Sequence, residues 1–220
     1  MRIVIVEDHR LFREVLRKVC VQELRHPVVG EAGDGPAAVE LIQRTKPDLV
    51  LLDLHLPGLD GFGVLAALAP ARPGLRVVIL SSHCDDYTVY RAERAHVHGF
   101  VDKNTNTVAT LSAAVTAVGE GNTWFSPEFI RRRAARQADP HSFDKVLTDR
   151  ECGVLALLGE PLSQPEIATR LGVAPETVEK HRFNIMKKLG LRGTAALVRY
   201  AQARGFTLSA TGRDSRALLP

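Results

Sequence analysis

Short apolar runs and longer amphipathic stretches alternate through the first half of the chain. β-Branched or Leu-rich runs fall at Ile3 to Val6, Val28 to Val29, Leu49 to Leu52, Val77 to Leu80 and Phe100 to Val101, and each has the length of a strand or strand core. Between them Leu11, Val15, Leu16, Val19 and Cys20, then Ala38, Leu41 and Ile42, and later Val108, Leu111, Ala114, Val115 and Val118 follow the helical period. The alternation predicts an α/β fold, a doubly wound parallel sheet of five strands with helices on both faces. Leu49-Val50-Leu51-Leu52 is unbroken by polar residues, as a strand covered on both sides requires. Right-handed crossovers then bring the carboxyl ends of all strands to one edge, where such a sheet binds its ligand.

The second half carries helix punctuation instead. Thr148-Asp149-Arg150-Glu151 is a capping box ahead of Val154, Leu155, Leu157 and Leu158. Ser163-Gln164-Pro165-Glu166 repeats it, and the helix through Ile167, Ala168 and Leu171 should stop near Gly172. Pro175 then starts a third helix to about Leu189. Two helices split by a tight Gly-containing turn give a small all-α helix-turn-helix outline. The predicted layout is a first domain at 1–120, a linker with a short helix at 121–143, the helical domain at 144–206 and a frayed tail at 207–220.

Charge divides the same way. The first 120 residues balance to −2 and the remainder to +6, within a net +4 over 220 residues. A polyanion is therefore expected at the second half. Cys20, Cys84 and Cys152 are widely spaced and form no metal-ligand motif, which reads as isolated thiols in a reducing compartment. The first apolar run is broken by Glu7 and Asp8, too early for a signal peptide or membrane span, so a soluble, cytoplasmic protein without membrane association is expected.

Polar residues converge on the carboxyl edge: Glu7 and Asp8 after the first strand, Asp53 after the third, Ser81 after the fourth, Lys103 after the fifth. Clustered carboxylates repel, and a hard divalent cation relieves that; an all-oxygen set suits Mg²⁺ better than zinc. Asp53 can then attack a phosphoryl group while the Lys103 ammonium neutralises charge and Ser81 donates to a phosphoryl oxygen. Three histidines, His9, His55 and His83, fall in loops at the same edge and leave open a metal-dependent phosphohydrolase. Asp53-Leu54-His55 lacks the DxD of haloacid-dehalogenase phosphatases, and Gly61-Phe62-Gly63 lacks the third glycine of a dinucleotide loop.

On the third helix of the second half, Val178, Ile185 and Leu189 share the buried stripe with Arg182 beside it, while Glu176, Lys180, Phe183, Asn184 and Lys187 project outward. That face suits the major groove. Lys180 and Asn184 carry donors for guanine or adenine edges, and Lys187, Lys188 and Arg192 suit phosphates. Glu179 repels phosphates unless it accepts from a cytosine amine or pairs with a neighbouring cation; Thr177 completes the candidate set. A three-helix protein-interaction module with a solvated basic face is the competing reading.

At these residues the chain resembles known families. Residues 1 to about 120 resemble the receiver domain of bacterial two-component response regulators, a flavodoxin-like fold, through IVIVEDH, PDLVLLDLHLPGLDGF, ILSS and GFVDK. The resemblance implies Mg²⁺ at Glu7, Asp8, Asp53 and the His55 backbone carbonyl, phosphorylation of Asp53 by a sensor histidine kinase, and Ser81 with Phe100 as a switch pair. Phe100 lacks the hydroxyl of a Tyr, so that switch would work by packing. LTDRECGVLALL, LSQPEIATRLGVAPETVEKHRFNIMKKLGL and the segment from Thr194 to Ala203 are similar to a LuxR-type domain. Together they resemble the NarL/FixJ class, which implies a phosphorylation-switched transcription regulator that binds promoter DNA at paired half-sites as a homodimer, and no turnover enzyme. Ala174-Pro175 stands where that pattern has a Ser, which removes a side-chain cap. A transcription factor whose receiver is silent is the other reading.

Overall fold

The computed structural model describes residues 1–69, 74–105 and 107–206; the tail expected at 207–220 lies outside the described residues. The chain divides into two compact units, residues 1–84 with 91–131, and residues 85–90 with 132–206.

In the first unit β1 (Ile3–Val6), β2 (Val28–Ala32), β3 (Leu49–Asp53), β4 (Arg76–Ser81), β5 (Gly99–Asp102) and β6 (Trp124–Phe125) form one sheet in the order β2-β1-β3-β4-β5-β6. Every pair is parallel. All residues of β1 and β3 are buried, which explains their unbroken apolar sequence. The helices of this unit are α1 (Arg10–Lys18), α2 (Gly35–Thr45), α3 (Gly61–Leu68), the last four residues of α4 (Asp86–Arg94), and α5 (Val108–Gly119). Leu16 of α1 and Leu111, Ala114, Val115 and Val118 of α5 pack with Ile3, Ile5, Leu49, Leu51, Val78 and Leu80 to make the core of one face. The alternate residues Val4, Val50 and Leu52 are buried on the other.

Two features differ from the sequence pattern. After α1 the chain passes into a π-helical segment, Val19–Glu23, whose wider turn still seats Val19 and Cys20 in the core. The sheet has six strands, because Trp124 and Phe125 pair with Gly99 and Phe100 along the β5 edge. The front of the expected linker thus belongs to the first unit. Its anchor is aromatic: the Phe129 ring lies 4.7 Å from Phe125 and 5.0 Å from Phe100.

The second unit holds most of α6 (Pro127–Ala138) and then α7 (Phe143–Val146), α8 (Asp149–Leu158), α9 (Gln164–Leu171), α10 (Pro175–Lys188) and α11 (Thr194–Ala203). Phe143, Val154, Leu155, Ile167, Leu171, Val178, Ile185 and Leu197 are buried together. Local chemistry sets the helix ends. The Thr148 amide donates to Glu151 Oε2 at 2.8 Å and the Glu151 amide to the Thr148 hydroxyl at 3.2 Å. The Ser163 amide donates to Glu166 at 2.7 Å. Gly172 ends α9 at φ 64° and ψ 33°, the left-handed conformation glycine adopts without strain. Helix α10 starts at Pro175 with no side-chain cap from Ala174.

Candidate functional site: an acidic pocket and a basic helix face

The strand order reverses direction between β1 and β3, and their carboxyl ends flank the crevice that results. Glu7 and Asp8 follow β1 there and Asp53 closes β3. A ligand atom from each of Glu7, Asp8 and Asp53 lies within 4.8 Å of the others. Glu7 and Asp53 are almost wholly buried, at 1% and 3% exposure, whereas Asp8 is exposed.

Lys103 closes the pocket from β5. Its Nζ donates to Glu7 Oε2 at 2.7 Å and to Asp53 Oδ2 at 2.8 Å, and it stands 4.9 Å from the centre of the Phe12 ring. Burial pushes the Glu7 carboxyl above its ordinary value; the Lys103 hydrogen bond opposes this and the Asp53 charge adds to it. With all three carboxylates ionised, one ammonium leaves an excess of two negative charges on an all-oxygen set. That donor set fits a hard dication such as Mg²⁺.

Neighbouring groups hold Asp53 in place. The His55 amide donates to Asp53 Oδ1 at 3.1 Å. Gly58, in the loop that follows, has φ +78°. Gly61 is required by close approach: a Cβ there would lie 2.4 Å from the Asp53 carbonyl oxygen.

Ser81, fully buried, donates its hydroxyl to the His83 carbonyl at 3.0 Å and accepts from the His83 amide at 3.1 Å. Phe100 is also fully buried, its ring against Phe129. Among the histidines, His9 caps α1 through Nδ1, accepting from the Phe12 amide at 3.4 Å. The His55 and His83 rings lie 4.8 Å apart. Burial first, and His83 second, hold the His55 imidazole below its usual value. Among the described residues the only group of three potential metal ligands is the acidic one.

Arg13 went unseen in the sequence. Its guanidinium donates to the Glu7 carbonyl and lies 3.5 Å from Glu31. The one available signal was position: a helix that begins just after an acidic pair hangs its first turns over that pair.

In the second unit the face of α10 away from the core carries Glu176, Glu179, Lys180, Phe183 and Lys187, all exposed, with Thr177 and Asn184 half-buried at its margins and Arg192 exposed beyond it. Glu179 pairs with Arg182 at 2.8 Å. Lys188 reaches Glu151 Oε2 at 2.7 Å and so serves the α8 capping box. Glu151 is pushed up by burial, but hydrogen bonds from Lys188 and Thr148 outweigh this and hold it below its usual value.

Residues 3–116 match the response regulator receiver domain and residues 145–201 match the luxR family of bacterial regulatory proteins. The chain belongs to the NarL/FixJ class of two-component response regulators. It is 37% identical over 205 residues to the probable transcriptional regulatory protein NarL of Mycobacterium tuberculosis, covering 90% of this chain and 92% of the relative. To the nitrate/nitrite response regulator protein NarP of Escherichia coli it is 33% identical over 208 residues, covering 93% and 96%. The fold is similar to that of the Salmonella typhimurium RcsB response regulator, with a TM-score of 0.63 over 92% of this chain and 99% of the other at 24% identity. Like its class, this response regulator is a helix-turn-helix DNA-binding transcription regulator. Among its described residues no helix is long and apolar enough to cross a membrane.

Proposed function

We propose that this response regulator takes a phosphoryl group on Asp53 from a sensor histidine kinase, and that the modification switches its binding to promoter DNA and hence transcription. The observation that carries the reading is the placement of Lys103 Nζ within 2.8 Å of both Glu7 and Asp53, in a pocket that also gathers Asp8. Glu7, Asp8, Asp53 and the His55 backbone carbonyl would hold Mg²⁺, which supplies charge neutralisation for the incoming phosphoryl oxygens.

The chain's own groups do the rest. Asp53, fixed by the His55 amide and by Lys103, presents a carboxylate oxygen in line with the phosphoryl group, so that most of the catalysis is positioning. Lys103 compensates charge as the phosphoryl group arrives and can release Glu7 or Asp53 in exchange. Ser81 donates to a phosphoryl oxygen by giving up the His83 carbonyl it now serves. Phe100, with no hydroxyl, responds through packing.

At the other unit, Thr177, Glu179, Lys180, Phe183 and Asn184 face the major groove, and Lys187, Lys188 and Arg192 face phosphates, with a homodimer on paired half-sites about one helical turn apart. Acetyl phosphate with Mg²⁺ should label the wild-type chain and leave Asp53→Ala unlabelled. Equal labelling of the two would end the reading. Equal promoter occupancy by wild type and Asp53→Ala, with labelling intact in the former, would mark the receiver as silent.

A further inference from the structure

Phe183 is 61% exposed. On α10 it stands opposite Val178 and Ile185, the two residues the helix buries. Helical geometry puts Lys180 and Lys187 one turn to either side of it on the same stripe. Among the described residues no other ring stacks on it and no cation covers it.

A large hydrocarbon ring held in water between two ammonium groups serves no core. Its surroundings select a surface whose rim is anionic and whose floor offers an apolar group. A second protein's apolar patch is a poor fit, because covering the ring would also desolvate both lysines. The major groove is a good fit: phosphates line its edges, and among the groups that base pairs display there the 5-methyl of thymine is the apolar one.

We propose that Phe183 is a sequence-reading residue that packs its ring on a thymine 5-methyl group. This rests on the groove-facing reading of α10 given above, and it adds the base and the atom that are read. The preference comes from burying one methyl group, so it is modest and independent of hydrogen bonding.

The test uses the full chain, incubated with acetyl phosphate and Mg²⁺, to enrich bound duplexes from a random-sequence pool. In an enriched duplex each thymine is then replaced singly by uracil, which removes the methyl and nothing else. At one thymine per half-site the wild type should lose about fourfold in affinity, the effect of one buried methyl. Phe183→Ala should bind the thymine and uracil duplexes equally, and Phe183→Leu should keep part of the preference. Uracil tolerated at every position, or the same loss in wild type and Phe183→Ala, overturns the proposal while leaving DNA binding intact. Failure of the wild type to enrich any sequence removes the groove-facing reading and this proposal together. Loss of self-association in Phe183→Ala, with its uracil response unchanged, would assign the ring to a protein contact and also overturn it.

Discussion

The pocket of the first unit and the helix face of the second are both built from charged residues, yet they differ in what fixes them. Glu7, Asp53 and Lys103 are buried or nearly so and hold one another within hydrogen-bond distance. Lys180, Phe183 and Lys187 stand in solvent on one turn of scaffold after another. A buried charged site must be complete to be tolerated, because an unpaired member costs several kcal/mol. An exposed face tolerates almost any polar residue, so its chemistry is completed by what it binds.

The comparison can be broken most sharply at Lys103. Lys103→Met keeps the length of the stem and removes the cation, and labelling by acetyl phosphate should slow by on the order of a hundredfold; an unchanged rate would mean that the pocket's completeness is structural only. Next is Gly61→Ala, which sets a methyl 2.4 Å from the Asp53 carbonyl oxygen. Because the obstacle is backbone, the cost should be about 1–3 kcal/mol, read as a fall in urea midpoint.

On the helix face the effects should be smaller. Lys187→Ala should lower the slope of log affinity against log salt by about 1, whereas Lys188→Ala should lower it less, since Lys188 is engaged by Glu151. Smallest is Glu151→Gln. Its wild-type carboxyl is held below the ordinary value, so its stabilisation is present above the unfolded pKa of about 4.3 and is lost as pH falls through the folded value. Amide exchange of α8 should show a deficit of about 1 kcal/mol in the variant at pH 7 that closes as pH falls through the folded value of the carboxyl.

Much of this was legible before any coordinates. Five strands, both capping boxes and the convergence of Glu7, Asp8, Asp53 and Lys103 follow from runs and strand ends, because parallel topology leaves little freedom in where those ends go. The sixth strand was not, since Trp124 and Phe125 are too few to show a period and owe their conformation to the exposed edge of β5. Arg13 and Lys188 were hidden for a related reason: each acts on a group set by tertiary packing, the Glu7 carbonyl in one case and the Glu151 carboxylate in the other. In the sequence Arg13 looks like an ordinary solvated cation, and Lys188 reads only as a phosphate contact.

The wedging of Phe100 between the sheet and the Phe129 ring, itself stacked on Phe125, has a mechanical corollary. Because the Phe100 ring is fully buried with Phe129 5.0 Å away, a reorientation of it must displace Phe129 and so load the two-residue strand that Phe129 stacks on. Position 100 is thus geared to residues 124–129, and softening that short strand would loosen the gear at its far tooth.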